Sequence, residues 1–186
     1  MTQLRRLAPV LVLLPLLAAC ATADPSAPGV YIAGAGDPVR GAALNAPFQF
    51  GALEKQRGQP AKVALSLTQL EYLTAQIPAS GYWQNQVSGT TILALQLGRT
   101  EMRRALGIRP DAQPAAVMSG LRGAATALEA QDAAGARAAL STPDFTLGGE
   151  GTLQRLANLP PLPQAAAAAG QVNNDVMGLN DLPFGR

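Results

Sequence analysis

The chain has 186 residues, with 14 Lys and Arg against 12 Asp and Glu, a single cysteine and no histidine. The absence of histidine removes the commonest general base and the commonest transition-metal ligand from the whole chain. One cysteine cannot form an internal disulfide. We therefore expect a protein without a bound metal or cofactor.

The amino terminus combines a positive charge with a short apolar run. Arg5 and Arg6 precede the run, which extends from Leu7 to Ala19. A run of this length is shorter than the roughly 20 residues that span a bilayer, and it is typical of the core of a signal peptide. An ordinary secretory signal and an uncleaved anchor are the alternatives.

The end of the run distinguishes these alternatives. Leu17-Ala18-Ala19-Cys20 resembles the lipobox of bacterial lipoproteins. The resemblance implies that residues 1–19 are a signal peptide, that Cys20 is acylated and that the mature protein begins there. Acylation would leave no thiol for catalysis or metal binding. Two or more acyl chains hold a protein on a membrane, whereas one gives only weak binding.

Cleavage before the cysteine changes the expected location and charge. Ala21 and Thr22 follow in place of the Asp that retains enteric lipoproteins at the inner membrane, so the resemblance implies an outer-membrane protein facing the periplasm. Removing Arg5 and Arg6 from the 14 Lys and Arg leaves 12, equal to the 12 Asp and Glu. A neutral mature chain lacks the charge of a nucleic-acid binder, so we expect no such partner.

Composition divides the rest of the chain into three parts. Residues 20–58 are rich in Gly, Pro, Ala and Asp without apolar periodicity, and we interpret them as the lipidated cysteine and a flexible tether. Within them, Pro47 to Phe50 is one extended piece able to pack on the domain. Residues 59–160 carry helical periodicity, and residues 161–186 form a Pro-, Ala- and Asn-rich tail that we expect to be partly ordered.

Apolar spacing predicts two long helices in the central part. The first begins at Pro60 and ends near Pro78, with a buried stripe at Val63, Leu67, Leu70 and Ile77. The second runs from Asn85 to Leu106 and ends at Gly107, a left-handed cap. Gly89 and Gly98 inside the second helix should permit close approach of another helix.

Shorter helices are expected to follow. A third helix should span Pro114 to Ala130, and a fourth should span Ala133 to Leu140 with Asp132 as its cap. A further short helix should begin near Thr152 after a loop. Runs of β-branched and aromatic residues are nearly absent, so the sequence predicts an all-α domain: a small bundle of short antiparallel helices behind a flexible tether. Arg outnumbers Lys by 12 to 2 and Ala is the dominant residue, and the mature part resembles small helical envelope lipoproteins of high-GC bacteria.

Three residue combinations invite a catalytic or nucleotide-binding interpretation. Lys62 and Ser66 have the spacing of a Ser–Lys pair, but two residues on a solvated helix face explain it as well. Gly34-Ala35-Gly36 lacks the strand and helix that a phosphate loop needs. Carboxylates with no preferred pairing are available for sugar hydrolysis, namely Glu54, Glu71, Glu101, Asp111 and Asp144. Helix starts explain Asp111 and Asp132 better.

Two features are candidates for a partner surface. Tyr82 and Trp83 form the one adjacent aromatic pair of the domain, which indicates a core cap or an exposed anchor. Arg99, Arg103 and Arg104 form a basic patch that could meet an acidic partner or lipid headgroups, or remain a solvated face beside the helix dipole.

These features lead to two functional hypotheses. The first is a non-enzymatic envelope lipoprotein that binds or positions another envelope component. The alternative is a carboxylate-dependent hydrolase acting on the cell wall, which the absent histidine and free thiol disfavour.

Overall fold

The structure is a computed structural model that describes residues 36–179. The predicted signal peptide, the predicted lipidation site Cys20, the first residues of the predicted tether and the last residues of the predicted tail lie outside this range. The Gly34-Ala35 part of the glycine motif lies outside it as well.

The described residues form eight α-helices and one 3-10 helix, Leu53–Gln56. The α-helices are α1 Pro38–Gln49, α2 Pro60–Ala79, α3 Trp83–Gln86, α4 Gly89–Leu106, α5 Pro114–Glu129, α6 Ala133–Ala139, α7 Gly148–Ala157 and α8 Pro163–Gly178. No strand occurs within residues 36–179, where the extended backbone pairs only at one isolated bridge between Ile108 and Phe145. The all-α prediction is confirmed.

Four helices close into a ring around the larger part of the core. α2 packs on α1 and α4, and α8 completes the ring by packing on both of those helices. α4 runs antiparallel to α2, because Thr74 lies beside Leu95 while Glu71 lies beside Arg103. The remaining elements extend from α2: α5 packs on it, α6 packs on α5, and α7 contacts α6 and α2.

Local signals placed several helix ends correctly. α2 starts at Pro60, as predicted. Gly107 ends α4 with a φ of 66°, in the left-handed region that glycine adopts at low cost. The Asp132 side chain accepts a hydrogen bond from Gly135 N at 2.8 Å and caps α6.

Two predicted boundaries inside the domain are wrong. The second long helix is interrupted, since α3 ends at Gln86 and Ser88 caps a new helix by accepting from Thr91 N at 3.3 Å. Serine supplies this acceptor at the start of a helix, so the break is favoured locally. The last predicted helix begins at Gly148 rather than Thr152, because Gly148 adopts a positive φ of 65° that turns the chain out of the preceding loop.

The domain is larger than predicted at both ends. α1 lies within the predicted tether, and Ala42, Ala43 and Ala46 on its inner face are buried together with Phe50. α8 lies within the predicted tail, packs against α4 and α1, and buries three of its five alanines and both of its valines. The extended piece predicted from Pro47 to Phe50 is mostly the last turn of α1. Alanine contributes little to a periodic pattern of apolar residues, so the sequence pattern did not reveal α1 and α8 as parts of the bundle.

Close contact between α4 and α8 accounts for one glycine. A methyl group at Gly98 would lie 2.9 Å from the Cα of Ala165, so the two backbones approach as expected. Gly89 is different, since it opens α4 and has open space around its Cβ position. The expectation of close approach is therefore confirmed for Gly98 and wrong for Gly89.

Within residues 36–179, no helix combines the length and the apolar character needed to cross a bilayer.

Candidate functional site

A buried ion pair joins the middle of α2 to the last turns of α4. Glu71 is fully buried, and both of its carboxylate oxygens accept hydrogen bonds from Arg103, from Nε at 3.2 Å and from Nη2. This two-pronged arrangement suits the planar guanidinium group. Glu71 therefore anchors Arg103 in one orientation.

The remaining donors of Arg103 hold the loop that follows α4. Nη1 donates to the carbonyl oxygens of Pro110 at 2.8 Å and Ala112 at 2.9 Å. A buried arginine needs such partners because an unsatisfied donor would cost free energy. Arg103 thus fixes the loop from Ile108 to Ala112 against α4. The prediction that Arg103 belongs to an exposed basic patch is wrong, because its side chain is buried.

A surface cleft of about 310 Å³ lies on the outer side of this ion pair. Its lining consists of Arg99, Thr100, Arg103, Arg104, Ile108 and Pro110. All three predicted arginines are brought together here, and no carboxylate belongs to the lining. We call this set of six residues the arginine cleft.

The charges of the arginine cleft are only partly balanced. Glu71 neutralises Arg103, and Nη1 of Arg99 is 4.0 Å from the same carboxylate while its side chain remains 28% exposed. Arg104 is exposed and forms no ion pair with any residue between 36 and 179. Three guanidinium groups facing one carboxylate leave two excess positive charges. Guanidinium groups are suited to binding phosphate or carboxylate groups.

The aromatic pair is divided between core and surface. Trp83 is buried, and its Nε1 donates to Oδ2 of Asp37 at 3.1 Å. The guanidinium carbon of Arg40 lies 5.9 Å from the Trp83 ring centre. Tyr82 is exposed and meets the Trp83 ring edge-on at 5.1 Å. Trp83 is therefore the core cap that the sequence favoured, and it lies apart from the arginine cleft.

An apolar surface beside the cleft was missed at the sequence level. Leu93 is 55% exposed and Leu97 is 48% exposed, both on the side of α4 opposite its buried face. Leu147 is 43% exposed and reaches the end of the same helix, where a Cβ at Gly107 would collide with its side chain. The sequence holds one signal for this surface: Leu93 and Leu97 are four residues apart and so share a helix face, which differs from the predicted buried face of Leu95 and Met102.

The candidate Ser–Lys pair is not arranged for nucleophilic attack. Ser66 is fully buried, and its hydroxyl lies 3.0 Å from Oε1 of Gln49 and 2.9 Å from Oε1 of Gln56. Lys62 is exposed at the rim of a cavity of about 360 Å³ that these residues share with Phe48 and Leu65. The predicted solvated position is right for Lys62 and wrong for Ser66, which is covered by Gln49 at the end of α1 and Gln56 of the 3-10 helix.

The carboxylates considered for hydrolysis are dispersed and mostly engaged. Glu101 accepts a hydrogen bond from Ala165 N at 3.0 Å and so caps the start of α8. Asp111 does not start a helix; it pairs with Arg109 at 2.5 Å. The Arg109 hydrogen bond is the main reason why the pKa of Asp111 lies below its usual value. Glu54 is exposed in the 3-10 helix, and Asp144 lies in the loop before α7.

Comparison with known proteins adds no relative: no protein-family model matches the chain, and no curated protein or solved structure matches it either. The geometry of the chain itself is therefore the basis for a functional proposal.

Proposed function

We propose that this chain is a lipid-anchored, non-enzymatic module of the bacterial envelope whose arginine cleft binds an anionic group of another envelope component. The observation that carries the proposal is the excess charge of the cleft. Arg99 and Arg104 line the cleft and carry this excess, while Glu71 neutralises Arg103 and holds it in place.

The anchor is supported by the amino-terminal sequence. Leu17-Ala18-Ala19-Cys20 follows a charged start and an apolar run, and the resemblance to a lipobox places the lipid on Cys20. Ala21 and Thr22 favour the outer membrane, with the domain facing the periplasm. An anchored module needs only modest affinity, because the anchor raises the effective concentration of both partners at the membrane.

Binding is preferred to hydrolysis because of where the carboxylates lie. Glu71 neutralises an arginine, Glu101 caps α8 and Asp111 pairs with Arg109. A glycosidase needs two carboxyl groups facing one substrate, about 5 to 10 Å apart. The arginine cleft is lined by none.

Site-specific photocrosslinking in intact cells tests the proposal. A benzophenone amino acid replaces Thr100 inside the cleft, and the matched control replaces Ser119, an exposed residue of α5. We expect an adduct with an envelope component from position 100 only. The adduct should be lost when Arg99→Gln and Arg104→Gln are combined, because the excess charge disappears.

Two further controls make the test specific. Arg137→Gln removes an exposed arginine on α6, away from the cleft, and should leave the adduct unchanged. Equal adducts from positions 100 and 119, or an adduct insensitive to loss of both cleft arginines, would contradict the binding proposal. The intact mass of the purified protein tests the anchor separately, since an unmodified Cys20 excludes acylation.

A further inference from the structure

The outer surface of α4 carries two leucines among its polar residues, where a helix of a water-soluble bundle is normally polar. Leu93 and Leu97 are about half exposed, and both lie opposite the buried residues Leu95 and Met102. Isolated exposed leucines are common on protein surfaces. These two are not isolated, because a spacing of four places them on one line along the helix.

The same line leads into the arginine cleft. Thr100 and Arg104 follow Leu97 at spacings of three and seven, so they share its side of the helix. Leu147 meets the helix end at Gly107 and extends the apolar surface beyond the arginines. The resulting surface consists of Leu93, Leu97, Thr100, Arg104 and Leu147, and we call it the α4 outer face.

The three leucines of the α4 outer face are open to an apolar medium. Leu93 and Leu97 lie on the side of α4 opposite its buried residues, and Leu147 lies beyond the end of that helix, directly before α7. Each side chain is about half exposed. Long arginine side chains at such a surface can place their charged ends among phosphate groups while their methylenes lie against the acyl chains. Helices that lie in a membrane interface bury leucines at the boundary of the acyl chains and keep Lys and Arg of their polar face among the headgroups.

The chain joins the bundle near the amino end of α4, and the segment before it is long enough to let the α4 outer face reach the membrane. Asp37, directly before α1, is hydrogen-bonded to Trp83, and α3 directly precedes α4. The bundle is thus joined at the amino end of the α4 outer face. The residues from Ala21 to Ala35 have a maximum reach of about 50 Å, which exceeds the length of about 27 Å for the 18 residues of α4.

We infer that the α4 outer face lies on an anionic lipid bilayer and that a lipid headgroup phosphate is the anion bound in the arginine cleft. This inference rests on the proposed function, because it identifies the envelope component as the membrane lipid itself. Arg99 and Arg104 supply the charge that attracts anionic headgroups. Leu93, Leu97 and Leu147 supply the apolar contact.

Depth-dependent quenching on the full acylated chain tests the inference. Leu97→Cys carries an environment-sensitive fluorophore on the outer face, and Ser119→Cys carries it on α5 as the matched control; acylation protects Cys20 from labelling. The proteins are reconstituted in vesicles whose lipids bear a nitroxide below the headgroup. With phosphatidylglycerol in the vesicles, we expect several-fold stronger quenching at position 97 than at position 119.

Charge and salt provide the decisive comparisons. The excess of quenching at position 97 over position 119 should fall severalfold in pure phosphatidylcholine vesicles and in the combined Arg99→Gln and Arg104→Gln variant. It should also fall in about 1 M salt, where screening shortens the Debye length to about 3 Å. The Arg137→Gln variant should keep the full excess of quenching. Circular dichroism of each variant confirms that the helices are formed.

The outcomes separate this inference from the proposed function. Equal quenching at positions 97 and 119 overturns the inference. Strong quenching at position 97 that is the same with charged and uncharged lipids overturns it as well. A photocrosslink from position 100 to a protein, without preferential quenching at position 97, rejects the membrane while retaining the binding proposal. Absence of both signals rejects both.

Discussion

The two sides of the helix ring use different residues to achieve the same burial. Where α2 meets α4 of the ring and α5 outside it, leucine, valine, isoleucine and methionine side chains make up most of the core. Along α8, where it meets α1 and α4, buried alanines dominate, and Gly98 allows the helices to approach closely. We call these regions the leucine side and the alanine side.

The difference shows how small residues can stabilise a bundle. A large aliphatic side chain contributes mainly through the apolar area that it removes from water. Alanine and glycine bury little area, but they bring backbones together, so that many weak dispersion contacts form along the helices. The leucine side should therefore be sensitive to truncation of a side chain, and the alanine side to enlargement.

The largest expected effect concerns Trp83, which fastens the alanine side at the start of α1. Trp83→Ala removes the ring that contacts Arg40 and the hydrogen bond to Asp37. We expect a loss of about 3–5 kcal/mol in the free energy of unfolding, as for other large-to-small changes in cores. Urea denaturation measures it.

Tyr82→Ala is the matched control for that change. Tyr82 is exposed beside the same ring, so its loss should change stability by no more than about 0.5 kcal/mol. If the two variants lose similar amounts of unfolding free energy, Trp83 has no special role in holding α1, and the buried alanines of α1 hold it instead.

A smaller effect is expected from enlarging the alanine side. Alanine is normally better than glycine inside a helix by about 1 kcal/mol. At Gly98, however, the new methyl group would press on the backbone of Ala165, so Gly98→Ala should destabilise the protein by about 1–3 kcal/mol. Thermal unfolding followed by circular dichroism measures the change.

Gly170 in α8 offers the opposite case within the same pair of helices. Its Cβ position has open space, so Gly170→Ala should stabilise the protein by up to about 1 kcal/mol. A stabilising Gly98→Ala would mean that α4 and α8 do not approach closely, and the comparison between the two sides would fail.

The same contrast explains what the sequence could reveal of the fold. α2, α4 and α5 were predicted because large apolar residues recur at helical spacing and because Pro60 and Gly107 mark helix ends. α1 and α8 were assigned to tether and tail because alanine carries little weight in such a pattern. Only tertiary packing shows that Ala43 and Ala168 are fully buried.

The candidate site was predicted in part for a similar reason. Arg99, Arg103 and Arg104 are close in sequence, so their grouping was visible. Glu71 is 32 residues from Arg103, and nothing local indicates that it would bury one arginine and leave the others available. The outer leucines were visible as residues, but their exposure depends on which side of α4 the rest of the bundle covers.

The smallest expected effect concerns the exposed ion pair of Arg109 and Asp111, which lies outside both sides of the ring. It shows how much less an exposed contact contributes to stability than the buried contacts above. Mainly because of the hydrogen bond from Arg109, the pKa of Asp111 lies below its ordinary value of 3.8. A lowered pKa in the folded state means that the pair stabilises the protein above about pH 4, and that this contribution is lost as the pH falls through the lowered value. Asp111→Asn should therefore lower the Tm slightly at neutral pH, and the difference from the parent protein should vanish in acid. Because both side chains are exposed, about 1 M salt should also reduce the difference. Thermal melts at several pH values measure it, and a difference that persists in acid would assign Asp111 a role other than its ion pair.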